Sequence, residues 1–140
     1  MRERSGCPSL GGGVDGSVRQ PARSLWDEPL ADCLVARCPS TEIEFLYSAK
    51  NTSDRAQSVE DLDALLDWTP LDDRAPTRAR AVQQELTAKG CHRSAGAVDP
   101  LVAATAEPQG LTVLHHDNDV ETIASVTGRP TRWLMPPGSL

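Results

Sequence analysis

The chain has 140 residues, with 20 Asp and Glu against 14 Lys and Arg and a formal charge of −6. That length suits one domain with a single modest core, and with three Trp, one Tyr and one Phe most of the burial must come from Leu, Val and Ala. An acidic body excludes nucleic-acid binding by bulk charge alone, and no apolar run approaches the roughly 20 residues that span a bilayer.

Residues 1–24 hold five glycines, including Gly11-Gly12-Gly13, and Arg2, Arg4, Arg19 and Arg23 against Glu3 and Asp15. With no periodic hydrophobicity, this stretch reads as a disordered Gly/Arg-rich leader, which places the folded domain at residues 25–140. The leader is locally +2, so the body carries −8. Such an excess is what carboxylates gathered around divalent cations produce, because a bound metal reverses the local sign. The N-terminus has no signal-peptide apolar core. Cys7, Cys33, Cys38 and Cys91 show neither a Cys-x-x-Cys pair nor zinc-type spacing with His92, His115 or His116. They read as free thiols, and a soluble, cytoplasmic protein without membrane contact is expected.

From Leu25 and Trp26 the texture becomes apolar. Leu34-Val35-Ala36 suits a short strand or the approach to one, and Thr41 and Glu44 have capping-box spacing for a helix whose Ile43, Leu46 and Tyr47 share a face. A second helix is expected from Ser58, with Asp61 three residues on, burying Val59, Leu62, Leu65 and Leu66. Trp68-Thr69-Pro70-Leu71 breaks it, as a short extended piece. Ala75, Ala79, Val82 and Leu86 form the next helical stripe, which ends at Lys89-Gly90. After a polar loop over 91–98, Asp99-Pro100 is an N-cap followed by a first-turn proline, and Pro108 and Gly110 close that helix. Leu111, Val113 and Leu114 suit a strand over 111–116 buried on both faces of a parallel sheet. Val120, Ile123, Ala124 and Val126 mark a last helix stopped by Gly128, and residues 131–135 suit a final strand ended by Pro136-Pro137. Helices alternating with short apolar strands indicate an α/β sandwich.

Four acids recur where helices start or strands end: Glu44, Asp99, Asp117 and Asp119. Open α/β sheets place their sites at that edge. Each acid also has an ordinary role there, Asp99 as a cap, Glu44 in a capping box, and Asp117 with Asp119 in a turn capping the last helix. Their convergence is what points to hard-cation chemistry: Mg²⁺ takes carboxylate oxygens, waters and substrate phosphate. Of His115 and His116, one can face such a site, since successive strand side chains alternate. Arg74, Arg78 and Arg80 sit on the polar side of the 75–86 helix, where contact with solvent or with RNA phosphate is open to them. Cys91 has no triad to make it a nucleophile.

Residues 41–49 (Thr-Glu-Ile-Glu-Phe-Leu-Tyr-Ser-Ala), 98–106 (Val-Asp-Pro-Leu-Val-Ala-Ala-Thr-Ala), 110–119 (Gly-Leu-Thr-Val-Leu-His-His-Asp-Asn-Asp) and the tail from Trp133 to Leu140 resemble the PIN-domain ribonucleases of the VapC toxin family. The likeness runs in order from about Trp26 to the end of the chain. It implies a PIN-like three-layer α/β/α sandwich with a mainly parallel sheet and cleavage of RNA dependent on Mg²⁺ or Mn²⁺. It also implies a cognate VapB-like antitoxin and admits a homodimer. The family's second, third and fourth acids fall on Glu44, Asp99 and Asp117, with Asp119 as an auxiliary. The family also opens on an apolar strand ending in a metal-binding Asp, where this chain has its glycine-rich leader, so that first strand is missing or replaced. Val14-Asp15-Gly16-Ser17 has only a faint likeness to it, without a strand-forming run before Asp15, and Asp27 and Asp32 lie past it. Two readings follow: a VapC-like metal-dependent endoribonuclease, or a degenerate PIN domain that binds a partner or is a non-functional remnant. A receiver-like signalling module is disfavoured, because no lysine follows near the end of a later strand.

Overall fold

A computed structural model of the chain describes residues 34–135. The leader with Asp15, the residues Trp26, Asp27 and Asp32, the thiols of Cys7 and Cys33, and the tail from Pro136 lie outside the described residues. The described chain divides into two compact units, one of residues 34–37 and 45–68, the other of residues 38–44 and 69–135.

In the first unit, β1 (Ala36–Arg37) and β2 (Asp67–Trp68) pair in parallel, Ala36 opposite Asp67 and Arg37 opposite Trp68. Arg37 makes an ion pair with Asp63, and its guanidinium carbon lies 5.3 Å from the centroid of the Trp68 ring, a cation–π geometry. Helix α2 (Thr52–Leu65) begins six residues before the expected start at Ser58. Its cap is Asn51, whose Oδ1 accepts from the Asp54 N–H at 2.9 Å while Asp54 Oδ2 accepts from the Lys50 N–H at 2.8 Å. Ser58 lies inside the helix, its hydroxyl donating back to the Asp54 carbonyl. Hydrophobic periodicity is blind to this first stretch because residues 52–57 are all exposed. Of the four residues expected to be buried, Leu62 is buried and Val59, Leu65 and Leu66 are half-buried.

Helix α1 (Pro39–Tyr47) corrects the capping box. The helix starts at Pro39, whose preset φ and missing N–H suit a first helical position. Thr41 is already inside it. Its hydroxyl oxygen accepts from the Cys38 N–H at 3.0 Å and donates to the Cys38 carbonyl at 2.9 Å.

The second unit is organised by three helices, α3 (Ala75–Ala88), α4 (Asp99–Ala106) and α5 (Asn118–Thr127). Val82 and Leu86 of α3, Ala103 of α4 and Ile123 of α5 form its core, with Cys91, Ala95 and Val126 packed at the edge. The expected stripe of α3 is thus the buried one. Helix α4 is the most enclosed, with Pro100, Ala103, Ala104, Thr105 and Ala106 all buried. Small side chains let neighbouring helices approach it closely, and alanine favours the helix intrinsically. A short 3₁₀ turn (Glu107–Gln109) and Gly110 at φ +65° then reverse the chain into β3 (Val113–His115). Gly128, at the same φ, does so between α5 and β4 (Thr131–Trp133). A side chain at either glycine would meet the left-handed penalty of about 1 kcal/mol.

Strands β3 and β4 pair in parallel with Val113 opposite Thr131 and His115 opposite Trp133. The expected α/β class with parallel pairing is present. Among the described residues the strands form two pairs, β1 with β2 and β3 with β4. The strand expected over 111–116 is shorter, Val113–His115, because Leu111 and Thr112 are irregular chain following the turn at Gly110 and His116 already lies in the bend before α5. No helix among the described residues is long and apolar enough to cross a membrane.

Arg78 of α3 forks onto Glu107, Nε to Oε2 at 2.7 Å and Nη2 to Oε1 at 3.3 Å. This bond holds the Glu107 carboxyl below its ordinary pKa. A depressed carboxylate stabilises the fold above its unfolded pKa of 4.5, and that contribution is lost as pH falls through the folded value. Because both side chains are a third exposed, Glu107→Gln is expected to cost less than about 1 kcal/mol at neutral pH. The difference should vanish in acid. Chemical denaturation of both proteins across pH checks it.

Candidate functional site

Asp99, Asp117 and Asp119 all belong to the second unit, each at the start of a helix and each half-buried. Asp99 opens α4 as its first residue, and the cap position is Val98, so the expectation that Asp99 caps the helix is corrected. Helical backbone already begins at Val98 (φ −86°, ψ −31°), which frees the Asp99 carboxylate to reach backwards. Its Oδ2 accepts from the Gly96 N–H at 2.8 Å. Gly96 is closely fitted to that task, since a Cβ built there would lie 3.0 Å from Asp99 Oδ2. Asp117 is the N-cap of α5, with extended backbone and Oδ1 accepting from the Asp119 N–H at 3.0 Å.

The electrostatics join these three acids. Burial pushes the Asp99 carboxyl above its ordinary pKa, the Gly96 hydrogen bond opposes this, and the charges of Asp117 and Asp119 raise it further while His116 lowers it. Like-charged carboxylates near one another disfavour full ionisation. The two histidines separate as strand alternation requires: His115 is buried at 3% exposure, and His116 is exposed and acts on Asp99. Glu44 is exposed on α1 and is not among the charges acting on Asp99. Among the described residues, no three His, Cys, Asp or Glu side chains stand close enough together to hold a metal ion. The donor chemistry of Asp99, Asp117 and Asp119 suits a hard divalent cation, and the Gly96 cradle fixes one carboxylate of that set.

The arginines of α3 are drawn into ion pairs, Arg74 with Asp72 and Arg78 with Glu107 and Glu85, while Arg80 is exposed. Cys91 packs at the core edge with its thiol 3.6 Å from the Leu86 carbonyl. Cys38 and Cys91 are free thiols.

Comparison with known proteins identifies the lineage. Ribonuclease VapC21 of Mycobacterium tuberculosis is 40% identical over 114 residues, covering 80% of this chain and 82% of the relative. Ribonuclease VapC18 of the same organism is 36% identical over 126 residues, covering 89% and 91%. The chain belongs to the VapC family. Ribonuclease VapC51 is 39% identical over 126 residues, covering 88% of this chain and 89% of its own. No protein-family model matches the chain. For this VapC-family chain the PIN-like α/β fold expected from the sequence follows, and Asp99, Asp117 and Asp119 occupy helix starts within it.

One contributor is not evident in the sequence: the Gly96 amide has only a weak signal, a glycine three residues before an acid at a helix start. Of the two histidines, strand period two puts His115 on the same side as buried Val113.

Proposed function

We propose that this chain is a metal-dependent endoribonuclease, the toxin of a toxin–antitoxin pair, which hydrolyses RNA phosphodiester bonds. The observation that carries the reading is the half-buried Asp99 carboxylate, held by the Gly96 N–H and acted on by the charges of Asp117 and Asp119, in a chain whose relatives are named ribonucleases. Asp99 and Asp117 would hold Mg²⁺ or Mn²⁺, with Asp119 and Glu44 as further oxygen donors. A bound divalent ion would supply an activated water and offset charge at the phosphodiester. The chain's own residues orient the acids: the Gly96 N–H fixes Asp99 and the Asp119 N–H fixes Asp117. His116, exposed beside them, is placed to meet substrate. A VapB-like antitoxin is the proposed protein partner, the proposed setting is cytoplasmic, and the domain is assigned to residues 25–140 behind a separate leader.

A second reading has its own support. In sequence no apolar strand-forming run precedes Asp15, although the family opens on a strand ending in a metal-binding Asp. That favours a degenerate PIN domain retained for partner binding or as a remnant. Calorimetric titration with Mn²⁺, paired with RNA cleavage by the full chain, separates the two. Saturable binding together with metal-dependent cleavage is expected. Absence of both sinks the enzyme reading, and binding without cleavage supports the degenerate one.

A further inference from the structure

We propose that His115 is a positioning residue that fixes the turn carrying Asp117 and Asp119. Its Nδ1 lies 2.7 Å from the Asp117 backbone carbonyl. A carbonyl oxygen can only accept, so Nδ1 bears a hydrogen. The ring is held on its other sides as well. It packs on Trp133, its partner in β4, with centroids 4.5 Å apart and planes inclined by 51°. The Leu134 N–H donates to the His115 carbonyl at 2.7 Å. Nε2 lies 2.8 Å from Glu121 Oε1, but out of line with a ring N–H, so this is a close contact and not an aligned hydrogen bond. The Thr131 hydroxyl donates to that same Glu121 oxygen at 2.7 Å, which anchors α5 to β4 at this point.

The bend between β3 and α5 is only residues 116 and 117 long. Within it Asp117 is tied twice, by its carboxylate to the Asp119 N–H and by its carbonyl to the His115 ring. Those two bonds fix the backbone of Asp117 and hence the direction in which its carboxylate leaves the bend, with Asp119 following in the first turn of α5. A ring buried to 3% exposure is a rigid support for that purpose.

The effect on cleavage rests on the nuclease reading, but the hydrogen bond itself does not, and the experiment keeps them apart. In the full chain, His115→Asn keeps a donor nitrogen near the place of Nδ1, while His115→Gln keeps one near Nε2. Amide hydrogen exchange at Asp119 is expected to stay within about threefold of wild type in His115→Asn and to accelerate by about tenfold or more in His115→Gln. RNA-cleavage kcat should follow the same order, falling about 10- to 100-fold in His115→Gln with KM little changed. A long-range ¹H–¹⁵N spectrum of the wild type should show the hydrogen on Nδ1. Equal behaviour of the two variants, or a bare Nδ1, overturns the proposal. If the wild type does not cleave RNA, the site reading fails, and the exchange order and spectrum still decide the role of His115.

Discussion

Asp99→Asn is expected to lower metal-dependent RNA cleavage by about a hundredfold or more while raising the thermal stability of the chain at neutral pH. The loss of activity follows from ligand chemistry: an amide oxygen is a poor substitute for an anionic carboxylate at a hard cation. Even indirect supports of such sites are worth roughly 10- to 100-fold. The gain in stability follows from the raised pKa. Burial first, and then the charges of Asp117 and Asp119, make the folded chain bind the Asp99 proton more tightly than the unfolded chain does. For a carboxyl raised in this way the fold is favoured in acid, and that advantage is lost as pH climbs from 3.8 through the folded value. At neutral pH the ionised Asp99 therefore works against folding. Asparagine removes the charge and keeps an oxygen for the Gly96 N–H. Tm measured near neutral pH should rise in the variant, and the difference should shrink below about pH 3, where the carboxyl is neutral in both states. A lower Tm at neutral pH would show that the ionised Asp99 does not work against folding.

Leu86→Ala is expected to be the most damaging of the core truncations, at about 2–5 kcal/mol. Leu86 is 1% exposed and meets Val82, Ala103 and Ile123 where α3, α4 and α5 come together. Its neighbours are poorly suited to filling the hole. Ala103 is too short to reach into it, and Ile123 is β-branched and held in a narrow rotamer range. At roughly 4 °C per kcal/mol or more for a domain of this size, Tm should fall by about 10 °C or more. Cleavage by the fraction that remains folded should change little, since the core cluster to which Leu86 belongs contains none of the acids. Denaturant unfolding alongside activity per folded molecule checks both parts. A loss below about 1 kcal/mol would mean that the three-helix core is not what holds this unit.

Much of the second unit was legible because its signals are local and redundant. The α3 stripe, the Asp99-Pro100 helix start and the closing glycines at 110 and 128 coincide with hydrophobic periodicity, and the elements appear where those signals agree. The first unit was read less well. The polar start of α2 carries no periodic signal, so Ser58, with an acid at cap spacing, was mistaken for the true cap Asn51. The same spacing rule failed at Thr41, where a proline two residues earlier had already begun the helix.

For the site, the sequence by itself determined that Asp99, Asp117 and Asp119 stand at helix starts, because caps, prolines and strand ends are written in neighbouring residues; Glu44, expected in a first turn, lies inside α1 because Pro39 begins that helix earlier. It also supplied the family likeness that the relatives bear out. Only the tertiary structure decided which acids interact. The influence of the Asp117 charge on Asp99 comes from packing α4 beside α5 and β3, and no local pattern encodes an interaction between residues 18 apart in the chain. Tertiary structure likewise turned His115 inward onto Trp133 and the Asp117 carbonyl. A ring's partners depend on what the neighbouring strand brings opposite it, and the histidine's own surroundings in sequence do not contain that information.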